Sequence, residues 1–252
     1  MTGPGGGATG PDRAGPAGSG GDVPASGFPR RPRPEVDPSV LEAPRGPGPP
    51  VDRADDDEAG LFDLVEQVRR IRALTTGGVF SADLGPYTEQ LRRVADELEA
   101  ASASSRERLE TMWSTGTYIT TCPVIGRANV LAPPAEYERF EDGTLRAELT
   151  LGIEYQGPPG RVHGGVVAML FDAILGRANR HSGTTGMTMY LDIDYRGATP
   201  ILEPIVLTGR PVRVEERKVW SQGAIHVGDT VTATAEGLFV IPKDWSGAGG
   251  GQ

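Results

Sequence analysis

The stretch Tyr155–Asn179, YQGPPGRVHGGVVAMLFDAILGRAN, decides the fold. Gly157-Pro158-Pro159-Gly160 reads as a rigid turn, since proline presets its φ and glycine adopts conformations that side chains forbid. His163-Gly164-Gly165 then opens a helix with bare backbone. Residues 166–179 are apolar nearly all round, so a sheet is expected to bury this helix. Its first N–H groups lack intrahelical partners and lie at the positive end of the helix dipole, which suits a carbonyl oxygen or an anion. Asp172 follows about two turns in, among Ala168, Met169, Leu175 and Gly176. A carboxylate in so apolar a setting is costly unless it is paired or used. Two readings stand: chemistry, or a structural pair with Arg177 or Arg180. Glycine inside a helix costs about 1 kcal/mol against alanine, so Gly176 points to a close approach by another group.

Outward from this helix the period changes to two. LRAELTLGI (145–153), MTMYLDIDYR (187–196), IVLTGRPVRVE (205–215), RKVWSQGAIHV (217–227) and TVTATAEGLFV (230–240) alternate and are rich in β-branched or aromatic residues. Glu215-Glu216-Arg217 and Gly228-Asp229 read as hairpin turns. The order predicts an α+β domain over 136–242, an antiparallel sheet wrapped around one central helix. Strict alternation places Thr188, Tyr190, Asp192, Asp194 and Arg196 on one face of their strand. Met189, Leu191, Ile193 and Tyr195 then cover the helix.

Toward the N-terminus, Leu61, Leu64, Val65, Val68 and Ile71 fall at helical spacing. The breaker Gly77-Gly78 follows, then Tyr87, Leu91, Val94 and Leu98 behind Pro86. Residues 59–112 are therefore predicted as a helical extension that packs on the main domain or a partner subunit, with 113–135 as a linker. The first 50 residues hold 12 Gly and 12 Pro, too little apolar surface to offset the entropy of ordering. Residues 1–58 are expected to be a disordered tail and 243–252 a flexible C-terminus.

The net charge of −9 has no basic run, which leaves no electrostatic footprint for nucleic acid or an anionic membrane. No apolar stretch approaches a membrane span, and the start lacks the order of a secretion signal. One cysteine, Cys122, and three histidines argue against a disulfide framework and a structural metal site. A cytoplasmic protein without metal or cofactor is expected. His181 and His226 read as surface residues, and Trp113, Trp220 and Trp245 as packing.

VHGG (162–165), Asp172 nine residues after the histidine and Thr188 sixteen further on resemble the hot-dog-fold acyl-CoA thioesterases of the PaaI-like and THEM types. The resemblance covers about residues 130–241, helped by the turn GPPGRVHGG, the lead-in GRANVLAPP (126–134) and the strand starting RKVW (217–220). It implies a hot-dog fold and hydrolysis of acyl-CoA to acid and CoA. Asp172 would be general base or nucleophile, the Gly164 N–H the oxyanion donor and Thr188 a holder of the attacking water. His163 would orient its loop more than carry a proton, with Gly165 beside the substrate. Asp194, Arg196, Arg217 and Lys218 match the CoA groove, where cations meet phosphates.

The resemblance also implies a homodimer or homotetramer in which the site lies between subunits. One departure is the position six before the histidine, often Asn or Gln in the PaaI-type branch, where this chain has Gly157 with Gln156 beside it. The competing readings are a hot-dog dehydratase, which needs a histidine in the site helix, and a non-catalytic acyl-CoA sensor or interaction protein.

Overall fold

The computed structural model describes residues 35–42, 59–115, 119–241 and 243. The expected tail at 1–34 and 43–58, the C-terminus beyond 243 and the side chains of Trp113 and Trp245 lie outside the described residues. The helices are α1 (Ala59–Thr75), α2 (Gly85–Ala101), α3 (Ser105–Thr115) and α4 (Gly164–His181). The strands are β1 (Glu136–Arg139), β2 (Leu145–Thr150), β3 (Met187–Tyr195), β4 (Pro204–Glu215), β5 (Lys218–Val227) and β6 (Thr230–Val240). They form one antiparallel sheet in the order β1-β2-β4-β5-β6-β3. The two expected hairpin turns join β4 to β5 and β5 to β6, with Glu216 and Gly228 in the left-handed region.

Helix α4 lies against this sheet. Phe171, Ile174 and Leu175 are fully buried and share one core with Leu207, Ile225 and Phe239. Gly209 and Gly223 face each other in the β4–β5 register. A Cβ at Gly209 would lie 3.0 Å from the Leu175 side chain, and one at Gly223 3.2 Å from it. These bare positions let the helix settle into the sheet. Gly176, by contrast, would carry a Cβ at an ordinary 3.6 Å from Phe239, so its neighbour is a core ring at normal distance.

One expectation changes here. Residues 35–42, inside the expected disordered tail, carry a short 3-10 helix, Pro38–Leu41, that lies across β4 and β5. Val40 is 4% exposed. The Asp37 N–H donates to Gln222 Oε1 at 2.8 Å, and Arg210 pairs with the Asp37 carboxylate at 2.9 Å. Hydrogen bonds from Ser39, with Arg210 beyond them, hold the Asp37 carboxyl below its usual range. Within the expected linker, arginines of α1 gather the carbonyls of residues 126–130. Arg69 donates to the carbonyls of Gly126, Arg127 and Asn129, and Arg72 to that of Val130 and to the Tyr155 hydroxyl.

His226, expected at the surface, is 4% exposed, and burial lowers its pKa. His181 is half-buried. Trp220 packs as expected, with the Arg213 guanidinium 3.6 Å from its ring.

Candidate active site

Gly164 and Gly165 stand at the start of α4 because His163 caps it. The His163 Nδ1 accepts the Gly165 N–H at 2.9 Å, and its carbonyl accepts from Val166 and Val167. The imidazole is thus tied to the turn it precedes. The Gly164 N–H has no acceptor among the described residues and points from the positive end of an 18-residue helix. A pocket of about 340 Å³ lies beside it, lined by Arg161, Val162, Gly164, Tyr195, Arg196 and Thr199 among others.

Asp172 and Thr188 meet. The Thr188 hydroxyl donates to Asp172 Oδ1 at 2.7 Å, joining helix to strand. Strict alternation puts Thr188 on the face away from the helix. A β-bulge corrects this: the β3–β6 register shifts between Thr188 and Tyr190, so that Met189 is the extra residue. Thr188 therefore pairs with the core residue Phe239 and shares the helix side with Leu191 and Ile193. Tyr190 turns outward, where its hydroxyl donates to Glu236 Oε1. The expected apolar burial of Asp172 is also corrected, since its carboxylate is exposed in the single chain. Its partner is Thr188 rather than an arginine, and Arg177 stacks on the Tyr137 ring at 4.3 Å.

The four charged groups expected around CoA divide between the two ends of the sheet. Arg196 follows β3 at the pocket, 3.3 Å from Asp194. Arg217 and Lys218 open β5 at the opposite end, where Lys218 pairs with Val240 and Val240 with Met187. The Arg217 guanidinium donates to the Ile241 carbonyl at 2.7 Å. Within one chain these cations do not gather.

Tyr195 stands at the same pocket, a residue that the sequence patterns do not mark for the site. Its hydroxyl donates to the Gly164 carbonyl at 2.8 Å and thereby braces the helix start, while desolvation raises its pKa. Alternation assigns it to the helix face as an apolar cover and gives its hydroxyl no use. Among the described residues, no three His, Cys, Asp or Glu side chains group as a metal site. No helix among them is long and apolar enough to cross a membrane.

No family model matches the chain. The acyl-coenzyme A thioesterase THEM4 of Rattus norvegicus is 34% identical over 91 residues, which are 35% of this chain and 39% of that protein. The acyl-coenzyme A thioesterase THEM5 of Homo sapiens is 27% identical over 110 residues, 42% of this chain and 44% of its own length. The matches thus span less than half of these two curated relatives. A solved thioesterase superfamily protein is 38% identical, with a TM-score of 0.68 over 77% of this chain and 97% of its own. That match extends over nearly the whole of the solved chain, and the HGG turn, Asp172 and Thr188 stand on a helix and an edge strand of the same kind of sheet. The chain belongs to the thioesterase superfamily, as a hot-dog-fold protein of the PaaI/THEM type.

Proposed function

We propose that the protein hydrolyses acyl-CoA thioesters to free acid and CoA, and that it does so as a homodimer. The observation that carries this reading is the 2.7 Å bond from Thr188 to Asp172, which fixes a solvent-facing carboxylate against an edge strand. The second Asp172 oxygen, Oδ2, is left to take a proton or to attack. Gly164 lies eight residues before Asp172, which at 1.5 Å per residue is about 12 Å along the helix axis. A single thioester carbonyl cannot sit within reach of both in one subunit. A two-fold axis beside β3 brings Asp172 and Thr188 of one subunit opposite Gly164 of the partner subunit.

The edge itself supports such pairing. Among the described residues β3 pairs with β6 on one side and with no strand on the other, and Met187 and Met189 on it are 58% and 66% exposed. An unpaired, apolar edge strand is a template for another strand. Antiparallel pairing of two β3 strands also sets the Arg196 end of one subunit beside the Met187 end of the other. That arrangement narrows the separation between Arg196 and the cations Arg217 and Lys218.

In the reaction, Asp172 accepts a proton from water held by Thr188, and the water oxygen attacks the carbonyl carbon. Alternatively, Asp172 attacks directly and water then cleaves the resulting anhydride. In both routes the carbonyl oxygen gains charge that the Gly164 N–H stabilises, and the intermediate collapses to expel the CoA thiolate. The single thiol, Cys122, fits a reducing, cytoplasmic setting.

The test is release of free thiol from a chain-length panel of acyl-CoAs by the purified protein. Hydrolysis of at least one above background is expected. No release from any of them, with binding retained, would leave an acyl-CoA sensor. In single-turnover hydrolysis in ¹⁸O-labelled water, label found in Asp172 establishes direct attack followed by water addition at the aspartyl carbon of the anhydride, since the general-base route leaves all label in the released acid.

A further inference from the structure

Helix α2 buries none of its residues. A 17-residue helix alone in water is marginal even with good helix formers, so its order depends on a partner. Its apolar residues form a seam. Leu84, at the cap, is followed by Tyr87, Leu91, Val94, Leu98 and Ala101, spaced alternately three and four residues apart. This is the repeat of the paired positions in a two-helix coiled coil. All six are exposed.

From this seam we infer that α2 pairs antiparallel with α2 of a second copy of the chain. Antiparallel pairing about a two-fold axis between Leu91 and Val94 sets Leu91 against Val94, Tyr87 against Leu98 and Leu84 against Ala101. Each contact matches a larger residue with a smaller one, and the seam is complementary to itself, as a two-fold contact demands.

Charge chooses the direction. The N-terminal half of α2 carries Arg92 and Arg93 with Glu89, and the C-terminal half carries Asp96, Glu97 and Glu99 with no cation. Parallel pairing stacks the three carboxylates on their own copies and the arginines on theirs. Antiparallel pairing instead lays the carboxylates beside the positive start of the partner helix. Glu97 then flanks the seam on the same side as Arg93 of the second copy. Glu89 and Arg92 form an ion pair within one helix, so they do not compete for the seam.

Disulfide trapping tests this on the full chain in a Cys122→Ser background. Tyr87→Cys and Leu98→Cys in one chain sit three helical turns apart, too far to join within a helix. Under oxidation the double variant should shift to twice the chain mass on a non-reducing gel, while each single variant stays at chain mass. Adding Leu91→Glu and Val94→Glu to the double variant should abolish that shift. Dimers from either single variant would show a parallel seam and overturn the inference. Chain mass throughout, from protein whose circular dichroism matches the parent, would overturn it as well and assign the seam to α1 or to another protein.

Discussion

Helices α4 and α2 are nearly equal in length, 18 and 17 residues, and the fold treats them in opposite ways. α4 buries eight residues from Val167 to Asn179, because its apolar side chains surround it and a sheet with bare glycines receives it. α2 confines its apolar residues to one stripe and keeps both flanks charged. A wide apolar surface requires a sheet, whereas a narrow one is satisfied by a single neighbouring helix. The first pattern builds the core of one chain and the second offers a surface to another. The chemistry we propose sits where the first pattern breaks, at the exposed Asp172 on a largely buried helix.

The contrast is sharpest in stability. Phe171→Ala removes a fully buried ring from beneath the sheet and should cost about 3–5 kcal/mol in urea unfolding. Leu91→Ala in α2 leaves no cavity within the chain. Its cost should appear only as weaker association, read from the concentration dependence of sedimentation. Comparable losses of chain stability would erase the distinction between the two helices.

Asp172→Asn probes the break in the α4 pattern. The amide keeps the shape and can still accept from Thr188, but it can neither take a proton nor attack. Turnover of the preferred acyl-CoA should fall by at least about 10²-fold with the melting temperature unchanged, since the side chain is exposed. Thr188→Ala should cost less, roughly tenfold in kcat, because its hydroxyl orients the carboxylate and water without receiving a proton. Normal turnover by Asp172→Asn would end the proposed mechanism.

How much of this was legible beforehand follows from what each pattern encodes. The even apolar coverage of α4 and the alternation around it announced a helix wrapped by a sheet, and HGG, Asp172 and Thr188 carried the family resemblance. The Met189 bulge was not legible. An extra residue in a strand does not interrupt its composition, so alternation placed Thr188 on the wrong face. The docked segment at 35–42 was hidden for a different reason. Its anchors are the backbone and carboxylate of Asp37, which meet Gln222 and Arg210 from more than 170 residues away, and Val40, the one residue of the segment that is buried. Tyr195 was placed on the correct face, yet alternation says nothing of where a hydroxyl ends. The buried His226 occupies a strand position that looked polar and therefore exposed.

That docked segment yields a smaller effect. Val40→Ala removes two buried methyl groups and should cost about 1–2 kcal/mol at about 0.8 kcal/mol per group. The loss should not change kcat, because the segment crosses β4 and β5 away from Gly164 and Asp172. A fall in turnover without a fall in melting temperature would instead connect this segment to the site.

An effect that shows only as a slope with pH comes from the C-terminal end of α4. Burial, with Arg177, Arg139 and Arg180 nearby, pushes the His181 imidazole from its usual 6.5 down to about 4. As pH falls through 6.5 the unfolded chain takes up a proton that the folded chain refuses until pH nears 4. Folding stability is therefore full above 6.5, declines between 6.5 and 4, and is level with respect to this group below 4. His226, lowered by burial, acts in the same direction. His181→Gln cannot bind that proton in either state, so its melting temperature should fall less steeply than that of the parent across this window. Carboxylates such as Asp37 contribute equally to both proteins and cancel in the comparison. Identical slopes would mean that the folded protein admits the proton at His181, and that the arginines around it sit farther from the imidazole than the packing of α4 requires.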